Sequence, residues 1–218
     1  MAGTLIGIGG VAFILVVAEV LGAAKLIRQA ELSRKFVHIM AATFIATWPF
    51  FMSFGAIQVL SIILLAVVFV SKKGSIFGSV HGVSRLTYGE FLFPIAVFLS
   101  AALAGSEWVF AAAMLHLGLA DGLAAVVGVQ SLGNHIYKVF GHAKSLIGSL
   151  VFLTVSVTVT AAIVFWADAS SYGSLAVPLL IWLPVTATLT ENFAVYGTDN
   201  LLVPLLVTTS LNAAQVTL

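Results

Sequence analysis

The residues best suited to chemistry gather in four short polar clusters separated by long apolar runs. The most informative is residues 120–149, ADGLAAVVGVQSLGNHIYKVFGHAKSLIGS. It opens with Asp121 inside an apolar helical pattern, where a carboxylate at membrane depth is costly and marks a functional position. Its neighbours one or two helical turns away are Leu117, Gly118, Ala124, Ala125 and Gly128. Small residues three and four apart mean close helix packing, but packing leaves the carboxylate among them unexplained. An aspartate with that much space suits a hydrated Mg²⁺, which takes few carboxylates and keeps waters for substrate phosphates. Downstream, a polar loop carries His135, Lys138, His142 and Lys144, with Gly133, Gly141 and Gly148 permitting close backbone approach. Lys144-Ser145 precedes a new apolar run, and the free N–H groups of a helix start attract phosphate. The chain has no Walker-type glycine loop, which excludes a P-loop nucleotidase. The chemistry that fits this cluster is phosphoryl transfer at a membrane boundary.

The other three clusters supply partners. Glu31, Arg34, Lys35 and His38 follow i, i+3, i+4, i+7 spacing and fall on one helix face, with Ser33 expected to cap the helix start. Two readings stand for them: basic side chains snorkelling to lipid phosphates, or Arg34 and Lys35 as ligands of phosphate oxygens. Snorkelling explains little about His38, a turn deeper. The second cluster runs from Lys72-Lys73-Gly74 through His81 and Arg85 to Tyr88-Gly89-Glu90. Its lysines serve topology, and Arg85 and Glu90 are the functional candidates. The last holds Glu191, Asn192, Asp199 and Asn200. Asp199 alone could cap a helix, but Glu191 at the other end of the same short loop needs another reason. Glu191, Asp199 and Asp121 together make a metal-coordinating set. His116, deeper in the Asp121 helix, reads as a hydrogen-bonded packing residue.

The elements that must position these residues are transmembrane helices. Of 218 residues, 61% are hydrophobic and 8% are charged, against about 25% charged in a soluble domain. The expected fold is an all-α integral membrane bundle, one catalytic domain over residues 1–218, with short loops. Spanning helices need about 20 apolar residues each, and seven or eight are placed at 4–24, 36–52, 54–70, 91–105, 107–129, 146–166, 174–190 and 201–216. The first run has no cleavage signal and reads as a retained helix. Every Lys and Arg falls in an odd-numbered connection, whereas even-numbered ones hold Glu107 and Asp168. Basic short loops mark the cytoplasmic side, so the clusters face the cytoplasm and both termini lie on the opposite side. Net charge near zero gives no reason for a nucleic-acid partner. The absence of cysteine excludes disulfides and thiolate metal sites.

Taken together, the clusters resemble the CTP-dependent polyprenol and lipid-alcohol kinases: the dolichol, phytol and farnesol kinases and the related diacylglycerol kinase. Arg34-Lys35-Phe-Val-His38 resembles the family's RKxxH start, and residues 120–128 are similar to its GDGxAxxxG segment. Lys144-Ser145-Leu-Ile-Gly148-Ser149 resembles KSxxGS, and Glu191 followed by Asp199-Asn200-Leu-Leu-Val-Pro204 resembles the closing E…DNxxxP. The four occur in the family's order over residues 31–205. Ala120 replaces the usual glycine, and Ile147 stands where dolichol kinases carry an acidic residue, so the resemblance leans to the phytol and farnesol branch. It implies a membrane-embedded site that uses CTP and Mg²⁺ to phosphorylate a long-chain alcohol in the bilayer. On that basis Asp121 and Asp199 hold the metal with Glu191 in support. Arg34, Lys35, Lys144, Ser145, Gly128, Gly148 and Asn200 bind the nucleotide, and His38 or Asp121 accepts the alcohol proton. A CTP:phosphatidate cytidylyltransferase is the second expectation, although its basic segment ending in paired acidic residues is missing. A small-molecule transporter is the third, and it expects mid-membrane polar residues and repeat symmetry that this sequence lacks.

Overall fold

The computed structural model describes residues 2–24, 30–74, 87–130 and 136–215. Lys25, Arg28, His81, Arg85, Gly133 and His135 lie outside the described residues, as does the side chain of Glu31. The chain forms α1 (Ala2–Ala23), α2 (Ala30–Ala46), α3 (Phe54–Lys73), α4 (Gly89–Leu103), α5 (Glu107–Leu115) and α6 (Asp121–Gln130). A two-stranded hairpin follows, β1 (Ile136–Val139) and β2 (His142–Ser145), and then α7 (Leu146–Ala162), α8 (Ala176–Phe193) and α9 (Asp199–Ala214). Helices thus build the protein, and the hairpin is the departure from an all-helical bundle. Among the described residues, five stretches are long and apolar enough to cross a membrane: Ala2–Ala23, Phe54–Lys73, Glu107–Gln130, Leu146–Ala167 and Gly173–Phe193. The exposed large side chains of α1 and α3, such as Phe13, Val20, Ile62 and Val70, are what a lipid-facing surface requires. This is an integral membrane protein.

α2 starts six residues before the expected span at 36 and ends at Ala46, followed by a short 3₁₀ turn, Trp48–Phe50. Ser33 consequently lies inside the helix, buried and with its hydroxyl unpaired, and is not a cap. Ser53 caps α3 instead, accepting from Ala56 N at 3.3 Å.

The central rod is α5 and α6, joined without a break through a π turn, His116–Ala120. Some 72% of its apolar window is buried, against 17% for α1, so the other helices are arranged around it. Each extra residue in a helical turn rotates the following face by about 100°, so the π turn re-aims Asp121 relative to α5. His116 fixes that turn. Its Nδ1–H donates to Ala112 O at 2.8 Å, which leaves Nε2 to accept from the Ser156 hydroxyl of α7 at 2.9 Å. The packing role expected of His116 holds.

α2 lies hard against this rod. A Cβ on Gly118 would sit 2.7 Å from the Ala42 Cβ, and one on Gly122 would sit 2.2 Å from Ile39 Cγ1. On the other side α7 crosses at Gly148, where a Cβ would come within 3.0 Å of Ala124 O. Far from the lysines, the loop ends are tied by Asn212, which bonds Leu103 O and Gly105 N, and by Gln215, which bonds Ser106 and Asp168. The described lysines, Lys35, Lys72, Lys73, Lys138 and Lys144, sit on element ends at the opposite pole of the bundle. Gly122→Ala should overpack the α2–α6 contact, costing roughly 1–3 kcal/mol and lowering the thermal midpoint of the purified protein. Gly9→Ala, where nothing lies within 4 Å, should leave the midpoint unchanged or raise it.

Candidate active site

At the lysine-bearing pole, four helix ends and the hairpin enclose a polar cavity of about 310 Å³. Asp121 enters from the start of α6, Lys35 and Arg34 from α2, Lys144 and Ser145 from β2, Glu191 from the end of α8, and Asp199 and Asn200 from the start of α9. Gly128 and Gly148 form its floor where α6 and α7 touch. Ten of the eleven site residues expected from the sequence therefore line one space. The eleventh, His38, lines the cavity next door.

The geometry is set by buried charge. One oxygen from each of Asp121, Glu191 and Asp199 lies within 4.8 Å of the other two. Lys35 Nζ donates to Asp121 Oδ2 at 2.6 Å, with both side chains only 6% exposed. His38 Nε2 is 3.3 Å from the same oxygen and 2.8 Å from Leu117 O. Both partners are acceptors, so Nε2 carries the proton and Nδ1 is the nitrogen left to accept one. Lys144 Nζ bonds Glu191 twice, at Oε1 (2.6 Å) and at the backbone O (2.8 Å). Asp199 Oδ1 accepts from Asn200 N at 3.0 Å. Among the described residues, then, each of two carboxylates has its own lysine, whereas Asp199 feels both lysines without forming a salt bridge to either. Three carboxylates converging as hard oxygen donors fit a divalent cation of the Mg²⁺ type.

Local sequence explains how the parts arrive. Lys35 and His38 are three residues apart and share a face of α2, and the glycine contacts bring that face onto the Asp121 turn. Phe140 and Gly141 both have positive φ (48° and 83°) and close a two-residue hairpin with the handedness that matches strand twist. Its register pairs Tyr137 with Lys144. The Ser145 hydroxyl accepts from Gly148 N at 3.4 Å and starts α7, as the Lys-Ser pair suggested. Gly197, at φ 86°, packs so closely on the start of α4 that a Cβ would lie 2.5 Å from Gly89 N. Tyr88 N donates to Tyr196 O at 2.8 Å, and Asn200 Nδ2 to Gly89 O at 2.9 Å. Asn200 therefore also serves as a latch between α9 and α4. Glu90 is held by Lys72, away from the three carboxylates.

Sequence reasoning missed a second polar group around Asn192 of α8. Asn192 Oδ1 accepts from the hydroxyls of Tyr137 in the hairpin and of Ser149 in α7, the latter at 2.8 Å. The Tyr137 and Ser149 hydroxyls are themselves 2.7 Å apart. His142 packs edge-on against Tyr196 at 4.9 Å.

No family model and no solved structure matches the chain. A curated protein does: a phytol kinase from Synechocystis sp. is 32% identical over 201 residues, covering 88% of this chain and 82% of its own. The chain belongs to the phytol kinase family. Membership makes it a membrane phosphotransferase of the kinase class, and the resemblance drawn from the four clusters leans to the same branch. For a phytol kinase relative, a carboxylate group facing two lysines is the right material, because phosphoryl transfer is catalysed chiefly by positioning and charge neutralisation.

Removing one member of a buried ion pair strands the other and costs about 3–5 kcal/mol, whereas removing both costs much less. Lys35→Met should therefore destabilise the purified protein more than the Lys35→Met/Asp121→Asn double variant. Additive losses in a thermal double-mutant cycle would contradict a direct pair.

Proposed function

We propose that the protein is a CTP-dependent kinase that transfers the γ-phosphoryl group to the hydroxyl of a long-chain isoprenoid alcohol of the phytol type. The observation that carries this reading is the convergence of Asp121, Glu191 and Asp199 within 4.8 Å beside Lys35 and Lys144. The kinship with a phytol kinase supplies the reaction class. Asp121 and Asp199 would hold Mg²⁺, with Glu191 in support. When bound, the ion neutralises charge on the nucleotide phosphates.

The chain's own groups do the rest. Lys144 spends two of its three N–H donors on Glu191 and keeps one for a phosphate oxygen. Lys35 uses one on Asp121 and keeps two. Arg34, Ser145 and Asn200 add donors along the wall, while Gly128 and Gly148 let the triphosphate approach the backbone. The alcohol oxygen attacks the γ-phosphorus, its proton passes to His38 Nδ1, the bond to the β-phosphate oxygen breaks, and CDP leaves. Asp121 steadies the resulting imidazolium from 3.3 Å. The lysine distribution supports a site open to the cytoplasm, with α1 beginning and α9 ending on the opposite side.

Membranes supplied with an isoprenoid alcohol and CTP labelled at either the α or the γ phosphate decide the reaction. Label should reach lipid from γ alone; transfer from α would mean a cytidylyltransferase. Asp121→Asn should reduce turnover by at least about a hundredfold, the scale of losing a positioned charge at the reacting group. Lys144→Ala should raise KM for CTP about tenfold or more, in line with a lost charge-assisted hydrogen bond, with a smaller effect on KM for the alcohol. The cysteine-free chain also permits a clean topology test. A single cysteine at Phe140, the 76% exposed hairpin tip, should react with impermeant maleimide only from the cytoplasmic side, and one at Ala2 only from the other.

A further inference from the structure

A second cavity, of about 100 Å³ and almost wholly apolar, lies between α1, α2, α3 and α4. It is continuous with the polar site: Arg34 and Asn200 line both spaces. His38 lines the apolar one, yet its ring nitrogen is 3.3 Å from Asp121 in the polar one. The lining is graded along α2, α3 and α4. On α2, Arg34 and His38 precede Ala41; on α4, Glu90 precedes Phe93; on α3, which runs the other way, Ser71 follows Leu64 and Val67. All the polar members therefore sit at the pole that carries the carboxylates, and the apolar members lie deeper. From Arg34 to Ala41 is seven residues, or about 10 Å of helix.

A cavity that is polar at head-group depth, apolar below it and open onto a phosphoryl-transfer site matches one kind of molecule. That molecule has a single hydroxyl at the end of one hydrocarbon tail. We infer that this groove seats the tail of the lipid alcohol, and that Ala41, Leu64, Val67 and Phe93 select which tails are accepted. This rests on the kinase reading above and adds to it the side chains that would choose among tails. Two acyl chains leaving one glycerol need about twice the cross-section of a single tail, so the groove should favour an alcohol with one tail over diacylglycerol. His38 then stands where the tail ends and the hydroxyl begins, with the edge of its ring against Phe93 at 5.3 Å. The same residue thus marks the border between specificity and chemistry.

The test compares a long-chain isoprenol, a short-chain isoprenol and diacylglycerol as acceptors for the purified full-length protein. Ala41→Phe fills the deep end of the groove and should lower kcat/KM for the long alcohol about tenfold or more relative to the short one. Ile63→Phe adds bulk on the outer face of α3, where Ile63 is 48% exposed, and should leave that ratio unmoved. Should Ala41→Phe not fold, Leu64→Ala, which widens the same end, should shift the ratio in its place. A long-chain isoprenol carrying a diazirine on its tail should crosslink to peptides of α2, α3 and α4, and unlabelled long alcohol should suppress the labelling. A protein that phosphorylates isoprenols but keeps one long-to-short ratio across these variants, or whose crosslinks fall outside α1 to α4, overturns the groove. Diacylglycerol turned over as fast as the long isoprenol overturns the single-tail assignment. A wild-type protein that phosphorylates no alcohol overturns the kinase reading itself.

Discussion

Asp121 is buried at a helix junction in a membrane, and the rest of the site follows from what it takes to keep it there. A charged carboxylate removed from water is tolerable only against a close cation with good geometry, and Lys35 provides one at 2.6 Å. Reaching that distance requires α2 to lie almost backbone to backbone against the central rod. Gly118 and Gly122 allow this by presenting no Cβ to Ala42 and Ile39. The small-residue pattern and the charge are therefore one device. Without the glycines the lysine and histidine of α2 would stand off from Asp121, and without Lys35 the aspartate would be stranded.

The same logic extends around the cavity. Glu191 is satisfied by Lys144, which the β hairpin carries in over the end of α8. Asp199 has no lysine of its own among the described residues, which leaves the cluster with room for a divalent cation. Protein cations hold two carboxylates in place, and the third is available to a ligand. At the opposite pole the polar contacts are of another kind: Asn212, Gln215, Ser106 and Asp168 tie loop ends together and carry no clustered charge. One pole of the bundle is built to bind and the other to close.

Much of this was legible in the sequence, for identifiable reasons. Hydropathy marks the spans because backbone polar groups in lipid force helices. Helical spacing puts Lys35 and His38 on one face, and the isolated carboxylates point to a shared site. Three features were not legible. The π turn before Asp121 follows from a tertiary hydrogen bond between His116 and Ser156 that no spacing announces. The hairpin hides in residues 136–145, which read as part of a polar loop. Its two-residue turn has Phe140, not Asn or Asp, at the first positive-φ position, so the usual hairpin signal is missing. The Tyr137–Ser149–Asn192 group depends on that hairpin folding over α7 and α8, and so was out of reach as well. Ser33 failed as a cap because α2 begins earlier than the apolar run, its polar first turns lying at the membrane boundary.

The central claim is that Asp121, Glu191 and Asp199 form one divalent-cation site against which the nucleotide phosphates are held. Substituting Mn²⁺ for Mg²⁺ and recording electron–nuclear coupling on the purified protein reads this directly, without turnover. Bound Mn²⁺ should couple to phosphorus when CTP is added, and Asp199→Asn should weaken its binding about tenfold or more. Mn²⁺ that binds equally well to the variant, or that shows no phosphorus coupling in the wild type with CTP, would contradict the site.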